Sequence, residues 1–495
     1  MTAMVAETPS GAPALPYGFA RRHGVVLRHE AGRLVCAHRT GTPVSALAEV
    51  QRIAGPGLGF ELLGDGAFDR ALAMAYRDTA SEASAAAAAN DDLAALADSA
   101  ALVDDLLDQS DDAPVVRLIN ALLLEAIKEN ASDIHIETQE RRLVVRFRVD
   151  GILREVIEPR RGLAPLLTSR IKVMARLDIA EKRLPQDGRV SLRVGGHEVD
   201  VRISTIPSQY GERVVMRLLD RDAARLGLDR LGMSPRDRGA FERLLARPDG
   251  ILLVTGPTGS GKTTTLYAAL GSINDRSRNI MTVEDPIEYS VDGVGQTQVN
   301  PRTDLTFARG LRAILRQDPD VIMVGEIRDR ETAQIAVEAA MTGHFVLSTL
   351  HTNTAVGAVA RLTDMGVERF LLAPMLAGVV AQRLVRELCP ECARPGAATA
   401  ADRDLLDGAI AIGAPLRRAQ GCPACLGLGY RGRTGIYEVV TMDRTLEAMV
   451  HGGAAEADLV AHARRLGPSL LDDGVRKIGQ GITTVEEVAR VAQER

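Results

Sequence analysis

Tryptophan is absent from this 495-residue chain, and Phe, Trp and Tyr together make up only 3% of it. Single-stranded nucleic acid is held largely by stacking bases on aromatic rings, so the chain has little from which to build such a platform. A formal charge of -5 points the same way, because a protein that tracks phosphate backbones is ordinarily basic over its binding surface. A nucleic-acid translocase would need a basic channel hidden within that average. Long hydrophobic runs are also lacking. The longest, Phe370 to Ala381, contains Pro374 and falls well short of the roughly 20 residues that cross a bilayer, so membrane association is expected to be peripheral. Met1 to Tyr17 has neither the basic start nor the apolar core of a secretory signal, which predicts a cytoplasmic protein. Cysteine is scarce, at 5 residues, and four of these fall in two close pairs.

What the chain does contain is organised around Gly256-Pro257-Thr258-Gly259-Ser260-Gly261-Lys262-Thr263. The apolar run Ile251 to Val254 precedes it and the helix-compatible stretch Thr264 to Leu270 follows. A buried strand feeding a glycine-rich turn and then a helix describes a phosphate-binding loop. Its backbone N–H groups close around phosphates while the helix points its positive end at the same anion. On this reading residues Gly256 to Thr264 cradle ATP, Lys262 holds the β and γ phosphates, and the Thr263 hydroxyl sits on Mg²⁺.

Three further apolar segments read as buried strands, and each ends in polar chemistry. Ile280 to Val283 runs into Glu284-Asp285-Pro286-Ile287-Glu288, Val321 to Val324 runs into Gly325-Glu326, and Phe345 to Leu350 is bracketed by His344 and His351. Residues just past parallel strands lie at the carboxyl edge of a sheet, where α/β folds bind ligands. Glu284 is therefore a candidate to orient or deprotonate water; an acidic turn closed by Pro286 is the alternative. Glu326 stands where P-loop enzymes usually carry an Mg²⁺-binding aspartate, so it either holds Mg²⁺ through water or shares the base role. Spacing does not divide those duties. His351 is a candidate phosphate sensor, although lone histidines at strand ends are mostly structural. Arg312, Arg316 and Arg328 could pair with these carboxylates or neutralise phosphate, within the chain or across a subunit boundary.

Cys389-Pro390-Glu391-Cys392 is answered by Cys422-Pro423-Ala424-Cys425. Two such knuckles can present four thiolates tetrahedrally, the ligand set of a closed, structural Zn²⁺ site, with disulfides as the alternative. The spacer between knuckles exceeds that of the common zinc ribbon, so a loop is inserted. Cys36 stands alone and is most simply a small core residue.

Toward the amino terminus, Val25 to Leu27 and Leu34 to Cys36 are short apolar segments, followed by a helical pattern from Ala67 to Tyr76. Ser81 to Asp112 is rich in alanine and aspartate without a single base. That composition describes an acidic tether, and the spacing of Leu93, Leu96, Val103, Leu106 and Leu107 allows a docking helix within it. Pro114 opens a helix whose apolar face is Val115, Leu118, Ile119, Leu122, Leu123 and Ile127. Leu143 to Val149 and His197 to Ser204 alternate as strands. Val145, Phe147, Val149, Val199, Val201 and Ile203 point inward, while Arg146, Arg148, Asp200 and Arg202 are left outside. Strand arginines are usually solvated, but several beside a phosphate-binding loop could reach a γ phosphate. Thr484 and Glu487 form a capping-box pattern before the last helix.

GPTGSGKTTTLYAAL from Gly256, TVEDPIEY from Thr282, LRAILRQDPDVIMVGEIRD from Leu311, TGHFVLSTLHTN from Thr342, the paired cysteine knuckles and GRTGIYE from Gly432 together resemble the secretion ATPase superfamily. Within it, they resemble the type II secretion ATPases of the general secretory pathway protein E kind. ASDIHIE at Ala131, RFRVDG at Arg146, LPQDGR at Leu184 and DVRISTIPSQYGERVVMRLLD at Asp200 add to the likeness. It covers about Pro114 to Arg495, with a looser echo at Leu15.

The resemblance implies an α/β, RecA-like P-loop core behind an α+β, PAS-like domain, assembled as a hexamer with nucleotide between the two. By position it makes Glu284 the catalytic glutamate, Glu326 the Walker B glutamate, His344 and His351 the histidine-box pair, and Arg202 and Arg217 arginines that reach phosphate. It also implies that the amino-terminal unit docks on the cytoplasmic domain of an inner-membrane secretion-platform protein. ATP hydrolysis would then drive pseudopilus assembly. A type IV pilus assembly ATPase shares the engine and is the nearest alternative. The expected division is a docking domain over 1–80, a linker over 81–112, an α+β domain over 113–231, the ATPase core over 232–388, a zinc unit over 389–434 and a helical tail over 435–495.

Overall fold

Apolar residues spaced for strands and helices sort the chain around three main sheets in a computed structural model. It describes residues 6–7, 13–15, 20, 23–30, 33–55, 57–64, 67–68, 71, 93, 113–194, 197–219 and 227–492. The expected linker, apart from Leu93, and most of the helix expected from Ala67 to Tyr76 lie outside the described residues.

Near the amino terminus the short apolar segments form β1 (Val25–Glu30) and β2 (Arg33–Arg39), paired antiparallel. Helix α1 (Val44–Ala54) then returns β3 (Gly59–Leu63) parallel to β2. Val25, Val26, Ala37, Val50 and Phe68 close a small core around Cys36, whose burial pushes its thiol up to about 11.

Helix α2 (Ala113–Lys128) turns Val115, Leu118, Ile119, Leu122 and Leu123 into a second core, the stripe that a 3.6-residue period produces. Next come β4 (Ala131–Thr138), β5 (Leu143–Val149), β6 (Ile152–Ile157), α3 (Ala164–Met174), β7 (Gln186–Val194), β8 (His197–Ser208) and β9 (Gly211–Leu219). The strands pair antiparallel in the order β6-β5-β4-β9-β8-β7. Between β5 and β6 the chain reverses through Asp150 and Gly151, both at positive φ (49° and 87°), as a type I′ hairpin requires. Val145, Phe147, Val149, Val201 and Ile203 face the core as their alternation predicts.

The other face of this sheet differs from expectation. Asp200, read as solvent-facing, is buried, because it accepts a hydrogen bond from Ser191 and pairs with Arg189 at 3.5 Å. Strand register sets Arg189, Arg202, Arg217, Asp133 and Arg148 opposite one another in a single cross-strand row. Four cations and one carboxylate thus share a line.

After α4 (Pro235–Leu245) comes the third sheet. Its parallel strands are β10 (Gly250–Thr255), β11 (Ile280–Glu284), β12 (Val294–Gln298), β13 (Val321–Val324) and β14 (Phe345–Leu350). Helices α5 (Lys262–Ile273), α6 (Phe307–Ile314) and α7 (Arg330–Met341) connect them. Ile251 and Leu253 pack into the core on one face of β10, and Leu252 and Val254 into that on the other. A strand covered on both faces reads as a continuous apolar run. Helices α8 (Gly357–Asp364) and α9 (Arg369–Met375) follow, and the run Phe370 to Ala381 changes element just after Pro374, where α9 gives way to β15 (Leu376–Leu388). No helix among the described residues is long and apolar enough to cross a membrane.

Past Ala381, where pairing with β10 ends, β15 continues toward Cys389. A small hairpin of β16 (Arg394–Ala397) and β17 (Pro415–Arg418), with α10 (Ala400–Leu405) between them, separates the two knuckles. The chain returns as β18 (Tyr430–Thr441), antiparallel to β15, and completes the sheet order β12-β11-β13-β14-β10-β15-β18. Helices α11 (Arg444–Gly452), α12 (Glu456–Leu466), α13 (Leu470–Gly479) and α14 (Val485–Ala492) pack behind it. At α14 the Thr484 hydroxyl accepts from the Glu487 N–H at 3.4 Å, but the Glu487 carboxylate does not return the bond. It takes the Arg386 N–H and guanidinium and the Arg490 guanidinium instead, a stronger charge-assisted set.

Candidate nucleotide and metal sites

The turn after β10 needs glycine because β15 runs against it. Gly256, Gly259 and Gly261 take φ of 147°, 79° and 85°. A Cβ on Gly256 would lie 2.5 Å from the Gln382 carbonyl, and one on Gly261 2.8 Å from Gln382 Nε2. Helix α5 starts at Lys262, so its free N–H groups open into a cleft of about 390 Å³, the size of an ordinary small-ligand site. Thr258 to Thr264, Glu284, Asp285, Glu288, Glu326, His351, Leu384 and Arg433 all contribute to its walls. Lys262 is buried and donates to the carbonyls of Gly256 and Pro257 at 2.7 and 3.0 Å. Burial lowers its ammonium to about 8, with Glu326 pulling it back up and Arg383 pushing it further down. The Ser260 hydroxyl is buried in the same loop with no hydrogen-bond partner among the described residues. A misplaced ammonium and an orphaned hydroxyl beside a helix amino terminus fit a polyphosphate.

Glu284 closes β11 at the carboxyl edge and is buried. The Tyr267 hydroxyl donates to Oε2, while the Thr282 hydroxyl and Gln296 amide donate to Oε1 at 2.6 and 3.0 Å. Three of about four acceptor sites are used, which fixes the carboxylate and leaves one site toward the cleft. The same carboxylate and, above all, burial push the Tyr267 hydroxyl well up, so it stays a donor. Glu326 follows β13 and is held differently: Arg328 lies 2.5 Å from one oxygen and His351 3.4 Å from the other. Arg328 also reaches Asp285 at 4.0 Å. Arg312 pairs with Glu331 at 2.5 Å, and Arg316 donates to the Arg312 carbonyl at 2.8 Å.

The two histidines part company. His351 follows β14 at the cleft edge, whereas His344 precedes the strand, about 20 Å away along it. There its Nδ1 lies 2.8 Å from the Ala339 carbonyl and 3.0 Å from the Thr342 hydroxyl, at the end of α7. Arg202 and Arg217 lie in the cationic row of the preceding sheet, where Arg217 is committed to Asp133 at 2.8 Å.

The four cysteine sulfurs lie within 4.8 Å of one another. Cys389 and Cys422, and Cys392 and Cys425, are 3.8 Å apart, and Cys422 and Cys425 3.7 Å. Disulfide sulfurs sit at about 2.05 Å, so these are free thiols. Metal–sulfur bonds of about 2.3 Å at the centre of a tetrahedron set their sulfurs about 3.8 Å apart, so the cluster fits one ion. The N–H groups of Cys422 and Gly429 both point at Cys425 Sγ, at 3.2 Å, an outer shell suited to thiolate.

The family described as "Type II/IV secretion system protein" matches residues 108–490, and an amino-terminal domain of GSPII protein E matches residues 14–76. The chain is 59% identical to type II secretion system protein E of Pseudomonas aeruginosa over 97% of its own length and 96% of that protein's. It is 56% identical to type II secretion system ATPase E of Vibrio cholerae over 97% of both. The chain belongs to the type II/IV secretion system protein family. Among solved structures, the pilus retraction motor PilT with bound ADP is 26% identical at a TM-score of 0.53, covering 76% of this chain and 97% of that one. The ATPase DotB of Legionella pneumophila, 22% identical at a TM-score of 0.57 over 75% of this chain and 94% of its own, shares the fold. This secretion-family chain is accordingly an ATPase, and the family implies that it binds nucleotide.

Several residues around the cleft of this secretion-family chain carry no local signal. Gln296 holds Glu284 from β12, an edge strand not read from the sequence, and Gln382, whose Oε1 accepts from Thr265 at 2.7 Å, backs the glycine-rich loop from β15. Arg433 was visible inside GRTGIYE but without a role. It lines the cleft while its Nε lies 3.7 Å from Asp150, whose other oxygen accepts from the Gly432 N–H at 2.8 Å.

Proposed function

We propose that this protein is the ATPase of a type II secretion system, hydrolysing ATP to drive pseudopilus assembly from the cytoplasmic face of the inner membrane. The observation that carries the reading is the convergence of Lys262, Glu284 and Glu326 on one phosphate-sized cleft in a chain related end to end to type II secretion ATPases. Lys262 leaves its loop carbonyls for the β and γ phosphates, and Arg202 and Arg217 approach from the preceding sheet to stabilise charge that develops in transfer. Glu284, fixed by three donors, orients the attacking water through its remaining lone pair. Thr263 and Glu326 would hold Mg²⁺, which when bound neutralises phosphate charge.

The four thiolates would hold Zn²⁺, whose part is structural because no open position remains. The active form is a homo-hexamer in which neighbours complete each site. The amino-terminal unit, matched to a domain of GSPII protein E, docks on the cytoplasmic domain of an inner-membrane platform protein. That match favours secretion over pilus assembly. On this reading the domains are 1–80, 113–231, 232–388, 389–434 and 435–495, with 81–112 as tether. The test is phosphate release by the wild type, Lys262→Ala and Glu284→Gln. Both variants should lose about 100-fold or more in kcat, and Glu284→Gln should keep nucleotide affinity. Activity within threefold of wild type in Glu284→Gln would overturn the assignment.

A further inference from the structure

The cleft wall at Glu288 is tied to the cationic row that holds Arg202, because Arg189, opposite Arg202 in the register, donates to the Glu288 carbonyl. Glu288, five residues into the segment that begins at Glu284, is half-buried and lines the cleft. Among the described residues its carboxylate accepts no hydrogen bond and forms no ion pair. Arg202, in the cationic row, likewise has neither, whereas its row neighbours Arg217 and Arg189 are committed to Asp133 at 2.8 Å and Asp200 at 3.5 Å. The charges that Glu288 feels are those of this row. Burial pushes its carboxyl up, Arg217, Arg202 and Arg189 pull it down, and Glu284 adds a further push upward. The segment is also tied to the same sheet, since Arg189 Nη1 and Nη2 donate to the carbonyls of Ile287 and Glu288 at 3.4 and 3.3 Å. The carboxylate is therefore held at the cleft wall between the arginines and the place where phosphates bind.

We propose that Glu288 is a positioning residue of the ATPase cycle: it is the resting counter-charge of Arg202, displaced when a nucleotide phosphate claims that arginine and restored as product leaves. The inference rests on the ATPase reading above. A like charge at the rim of a polyphosphate site weakens binding and speeds departure, and it gives half-buried Arg202 a counter-charge meanwhile. Product release limits many such motors, so that effect falls on turnover.

The test uses the full-length protein with Mg·ADP titrated calorimetrically, together with steady-state ATP hydrolysis, in wild type, Glu288→Gln and Glu288→Asp. Glu288→Gln should bind ADP about five- to tenfold more tightly, the size expected for removing one like charge from a partly solvated site. Its KM and kcat should fall together, and Glu288→Asp should restore both. The gain in affinity should vanish in the double variant Glu288→Gln/Arg202→Gln, a coupling that a merely structural role would not produce. ADP affinity unchanged within twofold overturns the proposal, as does lost kcat at unchanged KM, which would place Glu288 in the chemistry. Arg189→Gln, which frees the segment without altering the cleft, keeps the test open should Glu288→Gln fail to fold. It should tighten ADP by a smaller factor, and unchanged affinity there also counts against the proposal. A wild type that binds no nucleotide, or a Lys262→Ala variant that binds as well as wild type, would sink the ATPase reading instead.

Discussion

The ammonium of Lys262 rests on the Gly256 and Pro257 carbonyls, inside the loop proposed to take the phosphates. Burial holds it at about 8 instead of the ordinary 10.5. In the empty cleft the lysine therefore sheds its proton above about pH 8, whereas bound polyphosphate requires it charged. Nucleotide affinity should be flat below that pH and fall about tenfold per unit above it, since only the protonated fraction binds well. Calorimetry in two buffers of different ionisation heat should show proton uptake on binding near pH 8.5 in the wild type and none in Lys262→Met. An affinity indifferent to pH from about 7 to 9.5 would contradict this assignment. Glu284 is the opposite case, a group whose setting is finished before substrate arrives. Its three donors come from α5, β11 and β12.

At the scale of elements, the ribbon of β15 and β18 joins the proposed nucleotide cleft to the cysteine cluster. It is anchored by Glu487 of α14, buried against Arg386 and Arg490, which hold its carboxyl at about 2 despite the opposing effect of burial. With a folded value below the ordinary 4.5, its stabilisation is complete above that pH and is lost as pH falls toward about 2. Glu487→Gln should cost on the order of 3 kcal/mol near neutrality by taking the buried carboxylate from half-buried Arg386. Melting curves should show that gap closing as the solution is acidified through this window. A gap that persists unchanged at low pH would show that packing, not charge, is lost. At the far end of the ribbon, chelation should release one Zn²⁺ per chain and lower the melting temperature, and Co²⁺ replacement should give the charge-transfer bands of thiolate ligation. Metal well below one per chain after gentle purification would remove the zinc assignment.

These elements also mark what could be read beforehand. The strand–loop–helix of the phosphate site, the hairpin at Asp150-Gly151 and the cysteine pairs were legible because each is set by neighbours in sequence. The burial of Asp200 and the cradle of Glu284 were not. Each depends on which strand lies beside which, and edge strand β12 carries no pattern that announces Gln296. The capping box at Thr484 was half right, since the local bond forms but the Arg386 guanidinium takes the Glu487 carboxylate.

For the whole molecule, the cleft is walled by the parallel-sheet unit, with Glu288 and Arg433 among its lining residues, and the antiparallel sheet is tied to that unit beside these two residues. Among the described residues, polar contacts between the two sheets' units include Arg189 to two carbonyls, and Asp150 to Gly432 and Arg433. Small polar interfaces permit relative rotation, so nucleotide exchange is suited to drive the motion that the proposed motor delivers. The proposed hexamer would bring a neighbour's arginines to each cleft and make turnover a property of the assembly. The measurement that tests this most directly is ATP hydrolysis per subunit across a concentration series, with sedimentation of the same samples and Glu284→Gln as control. The account predicts specific activity that climbs in step with the hexamer fraction and is absent in the control. Activity that is constant per subunit while the protein sediments as a monomer would contradict it.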